Sequence, residues 1–152
     1  RGPSVTDHRK LDRLLDLRRH EEQRRAVELG LARQAVTDAS VALDELRLRR
    51  ADLERFFSSP AAESVGQAKT VRLVIEQVDL GTQNAQTVLA LAEATLSEKL
   101  KAFEEASRAR ETLERVLVPR VAEAEALERV AEQKREDEVA ARRFHGGEQA
   151  AS

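Results

Sequence analysis

The chain has 152 residues, of which 36% are charged and 41% hydrophobic, but only 3% are aromatic. With four Phe and no Trp, Tyr or Met, its apolar content is mostly Ala, Val and Leu, which suits a narrow seam between helices and excludes a thick globular interior. The 26 basic and 28 acidic residues nearly cancel and alternate along the chain, so no strong field draws it to nucleic acid or anionic lipid, and proteins are the expected partners.

Other classes fall away on the same reading. Without Cys there is neither a disulfide framework nor thiolate chemistry, a usage that fits a reducing compartment, so the expected location is cytoplasmic. No run approaches the roughly 18 apolar residues of a membrane span, and no charged-then-apolar start resembles a signal peptide, so direct membrane insertion is not expected. Arg1 to Ser4 are read as lying before the fold begins.

Pro occurs only at 3, 60 and 119 and Gly only at 2, 30, 66, 81, 146 and 147, punctuation too sparse for strands and turns. The first predicted element is a helix over about 5–57. Alternate steps of four and three from Leu11 to Phe57 land on apolar residues at ten of fourteen positions, the exceptions being Arg18, Glu22, Arg25 and Arg50. At 58–61, Ser-Ser-Pro-Ala predicts a chain reversal, because Ser caps a new helix and Pro suits a first turn that has no use for its missing amide hydrogen.

The second predicted helix covers about 62–144. From Val71 to Leu127 the same stepping is apolar at thirteen of seventeen positions, with Thr82, Lys99, Arg110 and Arg120 as exceptions. A heptad stripe held this long predicts an all-α fold: a long antiparallel two-helix coiled-coil hairpin with an overhanging second helix, forming one domain. Pairing about residue 59 sets position i of the first helix opposite roughly 118 minus i of the second, so Leu29 is expected near Leu89. Everything beyond about 115 would then overhang. Its stripe of Leu113, Leu117, Val121, Ala124, Leu127 and Val130 would invite a partner, close on Val5 to Leu17 through a shifted register, or dimerise. Pro119 predicts a kink or break, Gly30 and Gly81 read as tolerated glycines, and Gly146-Gly147 predicts a frayed tail over 145–152. Of the neighbours Phe56 and Phe57 at the tip, the stepping assigns only the latter to the seam.

Catalytic and ligand motifs are missing from this pattern. No two Gly have the spacing of a phosphate cradle, so no nucleotide cofactor is expected. His8, His20 and His145 lack the i, i+4 partner that would put two metal ligands on one helical face. Acidic neighbours such as Glu21-Glu22, Glu104-Glu105 and Asp137-Glu138 have no pocket to shift their protonation, so neither catalytic nor metal-binding residues are assigned and no enzyme is expected. The basic run Arg9, Lys10, Arg13, Arg18, Arg19, Arg24 and Arg25 is interleaved with Asp12, Asp16, Glu21 and Glu22. It reads either as intrahelical ion pairing or as a dock for an acidic protein surface.

Two stretches resemble a known family. Lys10-Leu-Asp-Arg-Leu-Leu-Asp-Leu-Arg-Arg-His-Glu-Glu is similar to the opening of the flagellar export protein FliJ and its virulence-system relatives. Glu132-Gln-Lys-Arg-Glu-Asp-Glu-Val-Ala-Ala-Arg-Arg is similar to that family's closing stretch, so the likeness covers nearly the whole chain. The resemblance implies a hairpin stalk of a type III export apparatus, inserted into the hexameric export ATPase FliI, promoting its assembly and linking it to the export gate FlhA, with export chaperones as further partners. It implies an ATPase contact at the open end, through Leu11, Leu14, Leu15, Leu113, Leu117, Leu127 and Val130. A gate contact maps by its spacing of four, three and four onto Val71, Ile75, Val78 and Thr82. Relatives carry an aromatic residue and a His at the first and last of these, where this chain has Val71 and Thr82. The implied location is peripheral to the inner membrane. A generic coiled-coil scaffold or spacer without an ATPase partner is the alternative that the seam alone equally supports, and a rotor subunit of a true rotary ATPase ranks after it.

Overall fold

The structure is a computed structural model that describes the backbone at residues 5–58 and 65–151 and the side chains at 8–58 and 66–147. Two helices, α1 (Val5–Phe57, 53 residues) and α2 (Val65–Ala151, 87 residues), account for every described residue but Ser58, whose amide still donates to the carbonyl of Glu54 at 3.0 Å. Such uninterrupted helix follows from a chain dominated by Ala, Leu, Arg and Glu, with no Pro inside α1 and only Pro119 inside α2. The helix continues through Pro119, where a kink or break is expected, with no break, and also through Gly146 and Gly147, where fraying is expected. Apart from Ser58, the expected 58–61 turn lies outside the described residues.

The chain divides into two compact units, each made of an α1 segment lying antiparallel to an α2 segment. In the first, Glu22–Ala106, the core is Leu29, Ala32, Ala39 and Leu43 from α1 and Val78 from α2. Burying each Leu is worth about 1.5–3 kcal/mol, while the Ala positions let the backbones approach. Every stripe position of this unit is buried or half-buried except Phe57, which, with Phe56, remains exposed. The expected seam placement of Phe57 is therefore corrected: the stripe loses its cover at the last turn of α1.

Charged residues inside the stripe form the cross-links. Lys99 Nζ donates to Glu28 Oε2 at 3.5 Å, and Arg25 donates to the same oxygen at 3.0 Å. The guanidinium of Arg50 meets Asp79 at 2.5 Å and also pairs with Glu54 one turn on. Leu46 lies where a Cβ on Gly81 would meet it at 3.7 Å, an ordinary van der Waals contact. These pairs correct the expected register. Glu28 was expected opposite residue 90, but its partner is Lys99, nine positions further along. The physical reason is that a slide near any multiple of 3.5 residues still lays stripe on stripe, so periodicity cannot choose among registers whereas charged seam residues can.

The second unit comprises the chain up to Glu21 together with the chain from Ser107. Its core is Leu15 and Leu117, closed by Arg19 reaching Glu114 at 3.3 Å while Arg110 holds the same carboxylate at 2.8 Å. Arg19 also lies 3.8 Å from Asp16, an intrahelical pair of the kind that reading of the basic run anticipates.

The Arg25 hydrogen bond, aided by the positive charge of Lys99, holds the Glu28 carboxyl below its ordinary value of 4.5 despite partial desolvation. A depressed folded value means the contribution is fully present above the unfolded value and is lost as pH falls through the folded one. Thermal melts of Glu28→Gln are expected to lie below those of the parent chain at neutral pH, with the gap closing as pH drops below 4.5. A gap that stays constant from pH 7 to pH 3 would contradict the cross-link.

Candidate functional site

The residues implied for the open end all belong to the unit built from the chain up to Glu21 and the chain from Ser107, and they separate into two kinds. Leu15 and Leu117 are core, the latter only 2% exposed, and Leu11 and Leu113 are half-buried beside them. Leu14 sits at the rim, where it shares a shallow groove with Arg18, Thr112, Leu113 and Val116. On the other side, Leu15 and Arg19 line a second groove with Leu117, Val121 and Glu125. The expectation that α2 overhangs from about 115 is thus corrected. Leu113, Leu117, Val121 and Ala124 are buried or half-buried while Arg120 stays exposed, because the register slides toward the C-terminal end of α2 and brings Leu117 over Leu15.

The unpaired part of α2 starts later. From Glu125 to Gly147 every residue is exposed, with Leu127 at 63% and Val130 at 67%, followed by Val139 and Phe144. Acidic and basic side chains surround these apolar residues, including Glu128, Arg129, Glu132 and Arg135, and Gln133 donates to Asp137 at 3.2 Å. The apolar side chains of this segment thus stand uncovered among side chains of both charge signs.

Val71, Ile75, Val78 and Thr82 lie in the Glu22–Ala106 unit and share the seam face of α2. Val78 is 6% exposed and the other three are half-buried. The Thr82 hydroxyl donates to the Val78 carbonyl at 2.8 Å, the usual way a mid-helix Thr satisfies itself.

One buried polar group escaped the sequence reading. His8 is buried, and neither ring nitrogen has a hydrogen-bond partner among the described residues. The signal was available, since His8 stands three residues before Leu11 and continues the four-three stepping backwards. Val116 and Val118, exposed next to buried Leu117, were also missed because they lie off the stripe. Among the described residues no cluster of His, Asp or Glu could hold a metal ion. No helix of the described residues is long and apolar enough to cross a membrane.

Helical throughout its described residues apart from Ser58 and seamed by heptads, the molecule is a long coiled-coil hairpin with shallow grooves along its helices. The sequence pattern of the family described as "Flagellar FliJ protein" matches residues 7–149, and the chain belongs to that family. It is accordingly a component of flagellar type III protein export. No curated protein and no solved structure matches the chain.

Two alanine substitutions separate the paired part of α2 from the unpaired part. Leu117→Ala is expected to cost about 2–4 kcal/mol in denaturant unfolding, and Leu127→Ala less than about 0.5 kcal/mol. Equal costs would mean that Leu127 has a partner the register does not provide.

Proposed function

We propose that the chain is the central stalk of the flagellar export ATPase, entering the hexameric FliI-type ring with the open end of its hairpin and promoting the assembly of that ring. The observation that carries this reading is the apolar face of α2 beyond Glu125, which no described residue of the chain covers, so that Leu127 and Val130 are two-thirds exposed. Large apolar side chains exposed in register on a helix mark a docking face. Leu14, at the rim of its groove, extends the contact surface, while Leu11, Leu15, Leu113 and Leu117 act by holding the two helices in the pose that is gripped.

A second contact, to an FlhA-type export gate, belongs on the stretch of α2 with Val71, Ile75 and Thr82, whose half-buried edges are available, with Val78 fixing the helix from the seam. Export chaperones are further partners of the same assembly, and its place is at the cytoplasmic face of the inner membrane. The chain contributes no hydrolytic group. Its action is mechanical, a matter of which surfaces it offers and how firmly the seam holds them.

The test uses the matching export ATPase. Adding the full chain is expected to raise hydrolysis and the hexamer fraction. Leu127→Asp with Val130→Asp should reduce the effect at least about tenfold, the loss of roughly 1.4 kcal/mol of binding, with helix content unchanged by circular dichroism. No stimulation and no co-purification with the parent chain would remove the stalk reading.

A further inference from the structure

The back of α2 in the Glu22–Ala106 unit carries a second stripe, parallel to the seam and facing solvent. Steps of four and three run from Gly66 through Thr70, Leu73, Gln77, Leu80, Asn84, Thr87 and Leu91 to Ala94, and each of these residues is exposed. None is charged, in a chain that is 36% charged. The corresponding outer line of α1 in this unit behaves otherwise, since Arg24, Asp38, Glu45, Asp52 and Arg55 interrupt Val27, Leu31, Val41 and Leu48. On α2 itself the next steps past Ala94 are Glu98, Lys101 and Glu105, so the uncharged line stops there. Leu73, Leu80 and Leu91 are 61%, 61% and 65% exposed, more than a solvated helix face needs. An outer face with heptad spacing, leucines and amides but no charge has the composition of a seam that lacks its second helix.

We propose that this stripe is the interface of a weak, antiparallel homodimer in which α2 of one copy packs on α2 of another about a two-fold axis passing between Ala85 and Gln86. The inference is independent of the stalk reading. The occupant is a second copy because the stripe is complementary to itself in that arrangement. Leu80 of one copy lies opposite Leu91 of the other, and Asn84 opposite Thr87, an amide against a hydroxyl in mid-interface where one polar pair fixes register. The ends carry opposite charge: Arg72 flanks the N-terminal end and Glu98 stands at the C-terminal end, both exposed and neither in an ion pair with a described residue of its own chain. An antiparallel two-fold brings each Arg72 to the Glu98 of the other copy, with Leu73 over its aliphatic stem. A parallel pairing would set Arg72 against Arg72. Three leucines and one solvent-facing ion pair at each end of the dimer make a small interface, for which a Kd between about 1 µM and 1 mM is the matching range.

Sedimentation velocity of the full chain across that range is expected to show reversible monomer–dimer exchange. Leu80→Glu with Leu91→Glu should leave a monomer at all concentrations, with parental helix content and melting temperature. Arg72→Glu should weaken the dimer at least about tenfold, and adding Glu98→Arg should restore it. Because the chain has no Cys, Thr87→Cys should cross-link under mild oxidation and Leu48→Cys, on the outer face of α1, should not. A chain that stays monomeric to about 1 mM, a dimer untouched by the double Glu variant, a failed charge-swap rescue, or a dimer abolished instead by Leu127→Glu with Val130→Glu would each overturn the proposal.

Discussion

Everything distinctive in this molecule depends on how charged residues are accommodated inside an otherwise apolar seam. Leu29, Ala32, Ala39 and Leu43 against an α2 face that includes Val78 provide adhesion without direction, because such a stripe meets its counterpart equally well after a slide of one or two turns. Lys99 and Arg50 remove that freedom. Each occupies a stripe position and each must find a carboxylate at the helix edge, which Glu28 and Asp79 supply at 3.5 Å and 2.5 Å. An unmatched cation in the seam would be desolvated without compensation, so the registers that misplace these pairs are disfavoured. The pairs themselves are half exposed and add little adhesion. Their weight is in choosing one register among several.

This division of labour explains what could be read from the sequence and what could not. The four-three stepping located the seam almost residue by residue: among its positions only Arg18 and Phe57 on α1 and Arg120 and Leu127 on α2 are exposed. The all-α class and the antiparallel pairing followed from the same stripe and from sparse Pro and Gly. Register did not, since it depends on which carboxylate sits near Lys99 in space, and the stripe is silent about that. From the register error came the misplaced overhang, and Leu117, expected to be free, is among the best-covered residues of the chain. The continuation of α2 past Pro119 and Gly146-Gly147 has a different reason. Local punctuation is a weak term that a long helix of strong formers overrides.

Of the seven open-end residues implied by family resemblance, burial now assigns distinct tasks. Leu15 and Leu117 lock the helices together, whereas Leu127 and Val130 stand out from the bare end of α2. The uncharged back of α2 compares with it, since Leu73, Leu80 and Leu91 are as exposed as the open-end pair but are bracketed by Arg72 and Glu98, charges of opposite sign with no ion pair among the described residues. Open end and back stripe lie in different units and differ in composition, one rimmed by mixed charge and the other free of it.

The register is the point on which these assignments turn, and electron–electron distance measurements between paired spin labels read it directly. With no native Cys, labels attach only where Cys is introduced. Arg47, Leu80 and Arg72 are all exposed, so labels there leave the seam intact. The 47–80 distance is expected to be the shorter, with 47–72 lengthened by an axial offset of about 12 Å for eight residues at 1.5 Å each. A 47–72 distance shorter than 47–80 would place Glu28 and Lys99 apart, return Leu117 to solvent and contradict the account at its base.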